Sequence, residues 1–263
     1  MRNASLTDPL KIALRGLLAL LAISLLISCD TATEYRIITY NIRHGLGMDG
    51  ILDLERTAQV IASYTPDVVI LNEVDHGTGR SFQVMQADSL GTLLGMYSYK
   101  APSIDYDGGE YGNAVLSRYP VSNLSIHDLS TSSQFEGRSV FRASIPLGTD
   151  TLVVLGTHLG LDSLERAEQV YNILALVNNE SNVILGGDLN LEPSDGRYAI
   201  LAGELNDLIS SPTNTFPANA PSRRIDYLFG SPDILVKDVL APTSALEAMA
   251  SDHLPVGISF SFK

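Results

Sequence analysis

Two stretches of this chain share one arrangement: an apolar strand ending on a polar side chain, a helix, then a buried strand ending on an acid. In the first, Tyr35–Tyr40 alternates into a strand that ends at Asn41. Asp53 is placed to cap a helix whose apolar face is Leu54, Ala58 and Ile61, and Pro66 stops it. Asp67–Leu71 then reads as a buried strand running into Asn72 and Glu73. In the second, Thr151–Gly156 ends at Thr157-His158, and Ser163 heads a helix with Leu164, Ala167, Val170, Tyr171 and Leu174 on one face. The apolar run Val183–Leu185 follows, bounded by a turn at Gly186-Gly187 and leading to Asp188 and Asn190. Asn41 to Glu73 is 32 positions and His158 to Asp188 is 30. The two units differ in sequence, so they are no tandem repeat. In α/β proteins site residues gather at strand ends, and four polar groups at four such ends are hard to explain by packing.

Between the units, Phe82, Met85, Leu90, Leu93 and Leu94 suggest a helix that closes at Gly95. Ala101–Gly112, with Asp105, Asp107, Glu110 and three glycines, reads as a solvated loop. Asn113–Ser117 is a short strand followed by Arg118, and Val140–Ile145 is a strand preceded by Arg138. Beyond Asn190, Leu201, Leu205 and Leu208 fit a short helix, and the proline-containing stretch Ser211–Ser222 is a loop. Ile225–Phe229 is a strand that carries Asp226, and a carboxylate inside an apolar strand is costly unless paired or bound. Finally Ser251-Asp252-His253 leads into Val256, Ile258, Phe260 and Phe262, alternating as a half-buried strand. Nothing along 35–263 resembles a linker, so that range is expected to be one domain.

The N-terminus has a different character. Arg2, Lys11 and Arg15 precede the nearly all-apolar run Gly16–Ser28, which is short for a membrane span but suits a secretory signal. It ends Leu26-Ile27-Ser28-Cys29, and Cys29 is the only cysteine in the chain. This resembles a bacterial lipobox: residues 1–28 would be a signal peptide, Cys29 the lipidated residue and 29–34 a linker. The expectation is a protein carried across the inner membrane and held at the cell envelope by lipid. An ordinary signal peptide with an incidental cysteine is the plainer alternative. With one cysteine, no intrachain disulfide can form. Cleavage before Cys29 would leave 14 basic and 29 acidic residues of the full chain's 17 and 30. Such an acidic chain repels polyanions, which argues against stable nucleic-acid binding.

The separate polar pieces are Asn41, Glu73, His158, Asp188, Asn190, Asp226, Asp252 and His253. Carboxylates with amide oxygens suit Mg²⁺ or Mn²⁺, which prefer oxygen ligands. A histidine beside an aspartate can serve as a general base near neutral pH once a carboxylate fixes its tautomer. Taken singly, each has an ordinary structural explanation: Glu73 with an arginine, Asp226 with Arg223 or Arg224. Together they point to a site.

In sequence, TYNIRHG, ILNEVD, GNAVLSRYP, GTHLG, GGDLN, RIDYLF and SDHLP resemble the ordered motifs of the endonuclease/exonuclease/phosphatase superfamily, with its deoxyribonuclease-I-like fold. The resemblance runs from Tyr35 to Phe260. It implies a four-layer α-β-β-α sandwich of two mixed, mostly antiparallel sheets with all motifs at one end. It also implies a metal-dependent hydrolase cleaving a phosphodiester or phosphomonoester bond with activated water. By that resemblance Glu73 is the principal metal carboxylate, assisted by Asn41 and Asp252, and Asn41 also borders the phosphate. Asp188 would align or deprotonate the water and Asn190 would hold the phosphate. His253, oriented by Asp226, would contact the phosphate and move a proton, and His158 would steady the phosphate or the leaving group. Arg118 and Arg138 are secondary candidates for phosphate contacts. Phosphoryl transfer fits such a set, because a metal and fixed donors stabilise spread negative charge while a base activates water.

Three other readings compete. A nuclease would be expected to carry a basic cluster with interleaved aromatics, which this chain lacks. A sphingomyelinase-like phosphodiesterase would need aromatic membrane contacts, and the chain has no tryptophan. A non-catalytic binding protein would have lost a metal or base residue, and none is missing. The expected partner is a phosphate-ester substrate, with the membrane reached only through the N-terminal lipid and the protein a monomer.

Overall fold

In the computed structural model both strand–helix–strand units form parallel strand pairs. β1 (Tyr35–Asn41) and β2 (Val68–His76) are neighbours joined through α1 (Leu54–Ser63). After α2 (Gln86–Leu94) come β3 (Tyr97–Tyr106) and β4 (Gly109–Ser117), then β5 (Asn123–Asp128) and β6 (Ser139–Leu147). The second parallel pair is β7 (Asp150–His158) and β8 (Val183–Asp188), joined through α3 (Ser163–Val177). α4 (Gly196–Glu204), β9 (Asn206–Asp207), β10 (Asp226–Gly230), β11 (Ile234–Leu240), α5 (Ala245–Ala250) and β12 (Val256–Phe262) follow. The structure describes residues 33–178, 180–209 and 213–263, so the secretory segment and Cys29 lie outside the described residues.

Two six-stranded sheets result, ordered β11-β12-β1-β2-β4-β3 and β5-β6-β7-β8-β10-β9. The remaining pairings are antiparallel, which gives the mixed sandwich expected. Side chains alternate across a strand, so neighbours in an apolar run serve different layers. Ile37 and Ile70 of the first sheet meet Phe141, Val154, Ile184 and Leu228 of the second between the sheets. Ile38, Val69 and Leu71 face outward onto Ala58, Ile61, Leu90 and Ala250 of α1, α2 and α5. Leu155 and Leu185 face outward onto Val170, Ile173 and Leu201 of α3 and α4. Burial on both faces explains why these central strands read as continuous apolar runs.

Several sequence expectations need correcting. Ala101–Gly112 is not a loop: β3 and β4 form a hairpin in which Tyr106 pairs with Gly109. Its two-residue turn is Asp107-Gly108, both at positive φ (46° and 79°), the type I′ geometry that Asp-Gly favours. Of the acidic residues that suggested solvation, Asp105 is exposed on β3, Asp107 sits in the turn and Glu110 on β4 pairs with Lys100. On α3 the N-cap is Asp162 rather than Ser163. Its buried face is Glu165, Gln169, Val170, Ile173 and Val177, while Leu164 and Tyr171 are exposed. Leu205 and Leu208 fall after α4, not within it.

Gly186-Gly187 is not a turn either, since β8 runs through both to Asp188. A Cβ on Gly186 would come within 2.7 Å of Ile70 Cδ1 in the other sheet. At Gly187 it would lie 1.8 Å from the Thr157 carbonyl oxygen, and φ there is 140°. Glycine at 186 lets the first sheet approach, and glycine at 187 lets β8 pair with Thr157 of β7, directly beneath Asp188.

Candidate active site

Strand register brings the polar ends to one rim. Asn41 lies opposite Asn72, His158 opposite Asp188, and Asp188 opposite Asp226. Glu73 reaches the rim differently. The register of β2 against β4 shifts between Leu71 and Val74, and Glu73 has φ 58°. Bulges re-aim a side chain, and a non-glycine residue held there costs on the order of 1–3 kcal/mol. The result directs the Glu73 carboxylate to Asn41, whose Nδ2 donates to Oε1 at 2.9 Å.

Asp188 is the hub. Its Oδ2 accepts from Asn41 Nδ2 at 3.1 Å and lies 3.4 Å from His158 Nε2 and 3.5 Å from His253 Nε2. Its Oδ1 accepts the Asn190 backbone N–H at 3.0 Å. On the far side of the ring, His253 Nδ1 meets Asp226 Oδ2 at 2.9 Å, and Phe216 packs on the imidazole with centroids 4.9 Å apart. Asp226 therefore pairs with His253, while Arg223 pairs with Glu192 and Arg224 with Asp207. Asn190 Nδ2 donates to the Leu159 carbonyl at 2.9 Å, which spends one of its two amide hydrogens.

Environment assigns these groups different protonation states. Burial, reinforced by Asp226, pushes the Asp188 carboxyl up to about 7 against the pull of His253. Burial alone would lower His253, but the Asp226 and Asp188 carboxylates overcome it and push the imidazole up to about 10. His158 is buried, and Arg138 and His253 add repulsion, so it is held well below its ordinary value. At neutral pH the site thus contains a charged His253, a neutral His158 and a carboxylate poised to take a proton. Environments that push titrating groups apart in this way assign acid and base roles.

Asp188, Asp226 and His253 place possible ligand atoms within 4.8 Å of one another. The Asp226–His253 contact is a hydrogen bond, so we read this trio as an Asp–His dyad set against Asp188. The donor set that suits a divalent cation lies beside it. Glu73 makes no ion pair among the described residues, and burial and then Asp252 raise its pKa against the Asn41 hydrogen bond. Asp252 pairs with Arg43 at 3.6 Å and is partly exposed. Two repelling carboxylates with unspent oxygens fit a hard cation. Asn41 acts differently here: its Oδ1 accepts the Arg43 backbone N–H at 3.1 Å, so it meets Glu73 and Asp188 as a donor that orients them.

Several supporting residues escaped the sequence reading. Asn72 donates to Asn113 Oδ1 at 2.7 Å and to the Thr157 carbonyl at 3.0 Å, and accepts the Asp188 backbone N–H at 2.9 Å. Asn113 in turn donates to the Ser139 carbonyl at 3.1 Å. These fully buried amides stitch one sheet to the other under the site. Their only sequence signal is an asparagine inside each of the apolar runs ILNE and GNAV. Ser251 Oγ donates to the Asn41 carbonyl at 2.8 Å and so ties the Asp252-His253 segment to β1. Of the two secondary arginines, Arg118 serves the Pro66 carbonyl, whereas Arg138 lies near enough to His158 to affect its charge.

Residues 38–253 match the Endonuclease/Exonuclease/phosphatase family model. The chain belongs to this family, whose enzymes hydrolyse phosphoester bonds and typically use divalent metals. The uncharacterised protein YbhP of Escherichia coli (strain K12) is 26% identical over 219 residues, covering 74% of this chain and 84% of YbhP. Among solved structures, an endonuclease/exonuclease/phosphatase from Beutenbergia cavernae DSM 12333 is similar, with TM-score 0.71 and 25% identity over 87% of this chain and 72% of that one. A mannosyl-6-phosphatase from Bacteroides thetaiotaomicron VPI-5482 shares the fold at TM-score 0.70 and 19% identity, over 87% of this chain and all of that one.

Proposed function

We propose that this chain is a Mg²⁺- or Mn²⁺-dependent phosphoric ester hydrolase working at the cell envelope, anchored through lipid on Cys29. The observation that carries the reading is the Asp188 carboxylate, buried and within 3.5 Å of Asn41 and both histidines, with Glu73 held next to it. Glu73 and Asp252 would hold the cation, with Asn41 fixing the Glu73 carboxylate. A bound cation would supply Lewis-acid stabilisation of the phosphoryl oxygens.

The chain's own groups do the rest. Asp188 aligns a water and takes its proton as the water oxygen bonds to phosphorus. Charged His253, fixed by Asp226, donates to a phosphoryl oxygen and can pass its proton to the departing alkoxide as the ester P–O bond breaks. Neutral His158 and the free amide hydrogen of Asn190 complete the phosphate cradle. The acidic surface weighs against a polynucleotide substrate, so we favour a smaller phosphate ester acted on by a monomer.

The test is hydrolysis of simple phosphate mono- and diesters after exhaustive chelation and after return of Mg²⁺ or Mn²⁺. Activity should vanish and then recover, and full activity in chelator overturns the metal dependence. For the anchor, Cys29→Ser should release the protein from membranes or block its processing. An N-terminal peptide carrying no lipid mass refutes that part alone.

A further inference from the structure

A cleft of about 420 Å³ opens beside the site, between the segment that precedes β6 and the turn from His158 into α3. Its volume is in the range of small-molecule sites. Phe135 and Leu161 give it an apolar lip, 40% and 76% exposed. Its polar lining is Gln134, Glu136, Arg138, Asp162 and Glu165.

Two of these side chains are more than nine-tenths buried and have bonding capacity left over. Arg138 is 6% exposed, and its Nη1 donates to Glu136 Oε1 at 2.6 Å while its Nε has no partner. Glu165 is 4% exposed and accepts from Gln169 Nε2 at 3.0 Å through Oε1 only. Gly160 makes room for the other oxygen, since a Cβ there would sit 2.0 Å from Glu165 Oε2. The Arg138 Nε is a buried N–H left this way, which is costly unless something bonds to it.

The charge balance narrows what that something is. Three carboxylates face one guanidinium, so a second phosphate would meet net negative charge. A donor and an acceptor beneath an aromatic lip instead match a ring with hydroxyls on its rim and C–H groups on its face. We propose that this cleft seats the alcohol side of the ester, a polyhydroxylated ring such as a sugar or cyclitol. Its hydroxyls would bond to Arg138 and Glu165 and its C–H face would lie on Phe135, with the phosphate at His158. This rests on the hydrolase reading above and adds the substrate class.

The experiment compares kcat/KM of the Mg²⁺-loaded full chain on phenyl, hexose, inositol and choline phosphates, each as monoester and as methyl diester. The wild type should prefer hexose or inositol esters over phenyl esters. Phe135→Ala and Glu165→Gln should each shrink that preference about tenfold, chiefly through KM, the size expected for one lost charged hydrogen bond or ring contact. Phe135 is at the surface, so its variant folds even if the buried Glu165 change does not. Phenyl ester hydrolysis without a polyol preference overturns the inference, as does a preference for the choline ester or one unchanged in both variants. No hydrolysis of any ester sinks the hydrolase reading instead.

Discussion

Replacing Asp226 with asparagine isolates the electrostatic core of the site. The change keeps the shape of a side chain whose Oδ2 lies 2.9 Å from His253 Nδ1 and whose Oδ1 is buried without a partner. Burial pulls His253 toward neutrality, and Asp226 is the larger of the two carboxylates that reverse this and push the imidazole up to about 10. A charged hydrogen bond of this kind contributes about 1.5–3 kcal/mol, so its loss alone should lower kcat by roughly 10- to 150-fold. The asparagine also offers an amide hydrogen that can face Nδ1 and favour the wrong tautomer, which moves the expected fall toward the upper end. Substrate binding at the cation should change little, so KM stays within about threefold while kcat falls, the signature of an interaction made in the transition state. Steady-state kinetics on one phosphate ester with saturating Mg²⁺ reads this directly, and a thermal melt confirms that the variant is folded. A kcat within threefold of wild type in a folded Asp226→Asn protein would falsify the dyad assignment.

Other outcomes follow from the same geometry. Asp188→Asn and His253→Ala should each cut turnover by at least about a hundredfold, the low end for a lost acid–base group, measured on the same ester. Gly187→Ala should fail to fold or lose several kcal/mol on the order of a severe backbone clash, read by urea melts, because its Cβ meets the Thr157 carbonyl. A fully stable Gly187→Ala protein contradicts that strand geometry. Asp75 gives a pH test. Burial opposes its charge, but hydrogen bonds from Arg80, Ser81 and Thr78 outweigh burial and hold the carboxyl below its ordinary value. Its folded pKa is lowered, so its stabilisation is complete above the unfolded value and is lost as pH falls through the folded one. Asp75→Asn should therefore cost on the order of 2–3 kcal/mol at pH 7, with the gap to wild type closing below about pH 4. An equal gap at both pH values counts against this.

The elements legible in the sequence were those where one residue type meets one local demand. Asp53 caps α1 by accepting the Arg56 N–H, as its place before Leu54, Ala58 and Ile61 required. Asn41, Glu73, His158 and Asp188 share one rim because the two strand–helix–strand units end there by parallel pairing, Asp226 joins them through antiparallel pairing of β10 with β8, and Asp252 and His253 come from the segment before β12. The misses have physical causes. Counting acids and glycines in Ala101–Gly112 hid an Asp-Gly turn, whose meaning depends on positive φ at both residues. The α3 face differs from its apolar pattern because Leu164 and Tyr171 point to solvent, while buried Glu165 and Gln169 are held by hydrogen bonds that no periodicity shows. Asn72 and Asn113 could not be read at all, since their role is to bridge two sheets that pairing brings together from residues 85 and 26 positions away.

Three costs fall within the proposed site. Glu73 is held at φ 58°, Asp226 keeps a buried oxygen without a partner, and Asp188 is pushed up to about 7. Each would be relieved by a residue less suited to catalysis. A carboxyl whose folded pKa is raised opposes folding above its unfolded pKa, so at neutral pH Asp188 is a destabilising group in the metal-free protein. Asp188→Asn should then melt no lower than wild type in chelator, even as it abolishes turnover. The dry layer between the sheets and the Asn72–Asn113 bridge offset these costs from directly below, which is why the strain persists in place. A packing role for Asp188 would require the opposite, a variant that loses stability along with activity. Melting both proteins side by side in chelator separates the two.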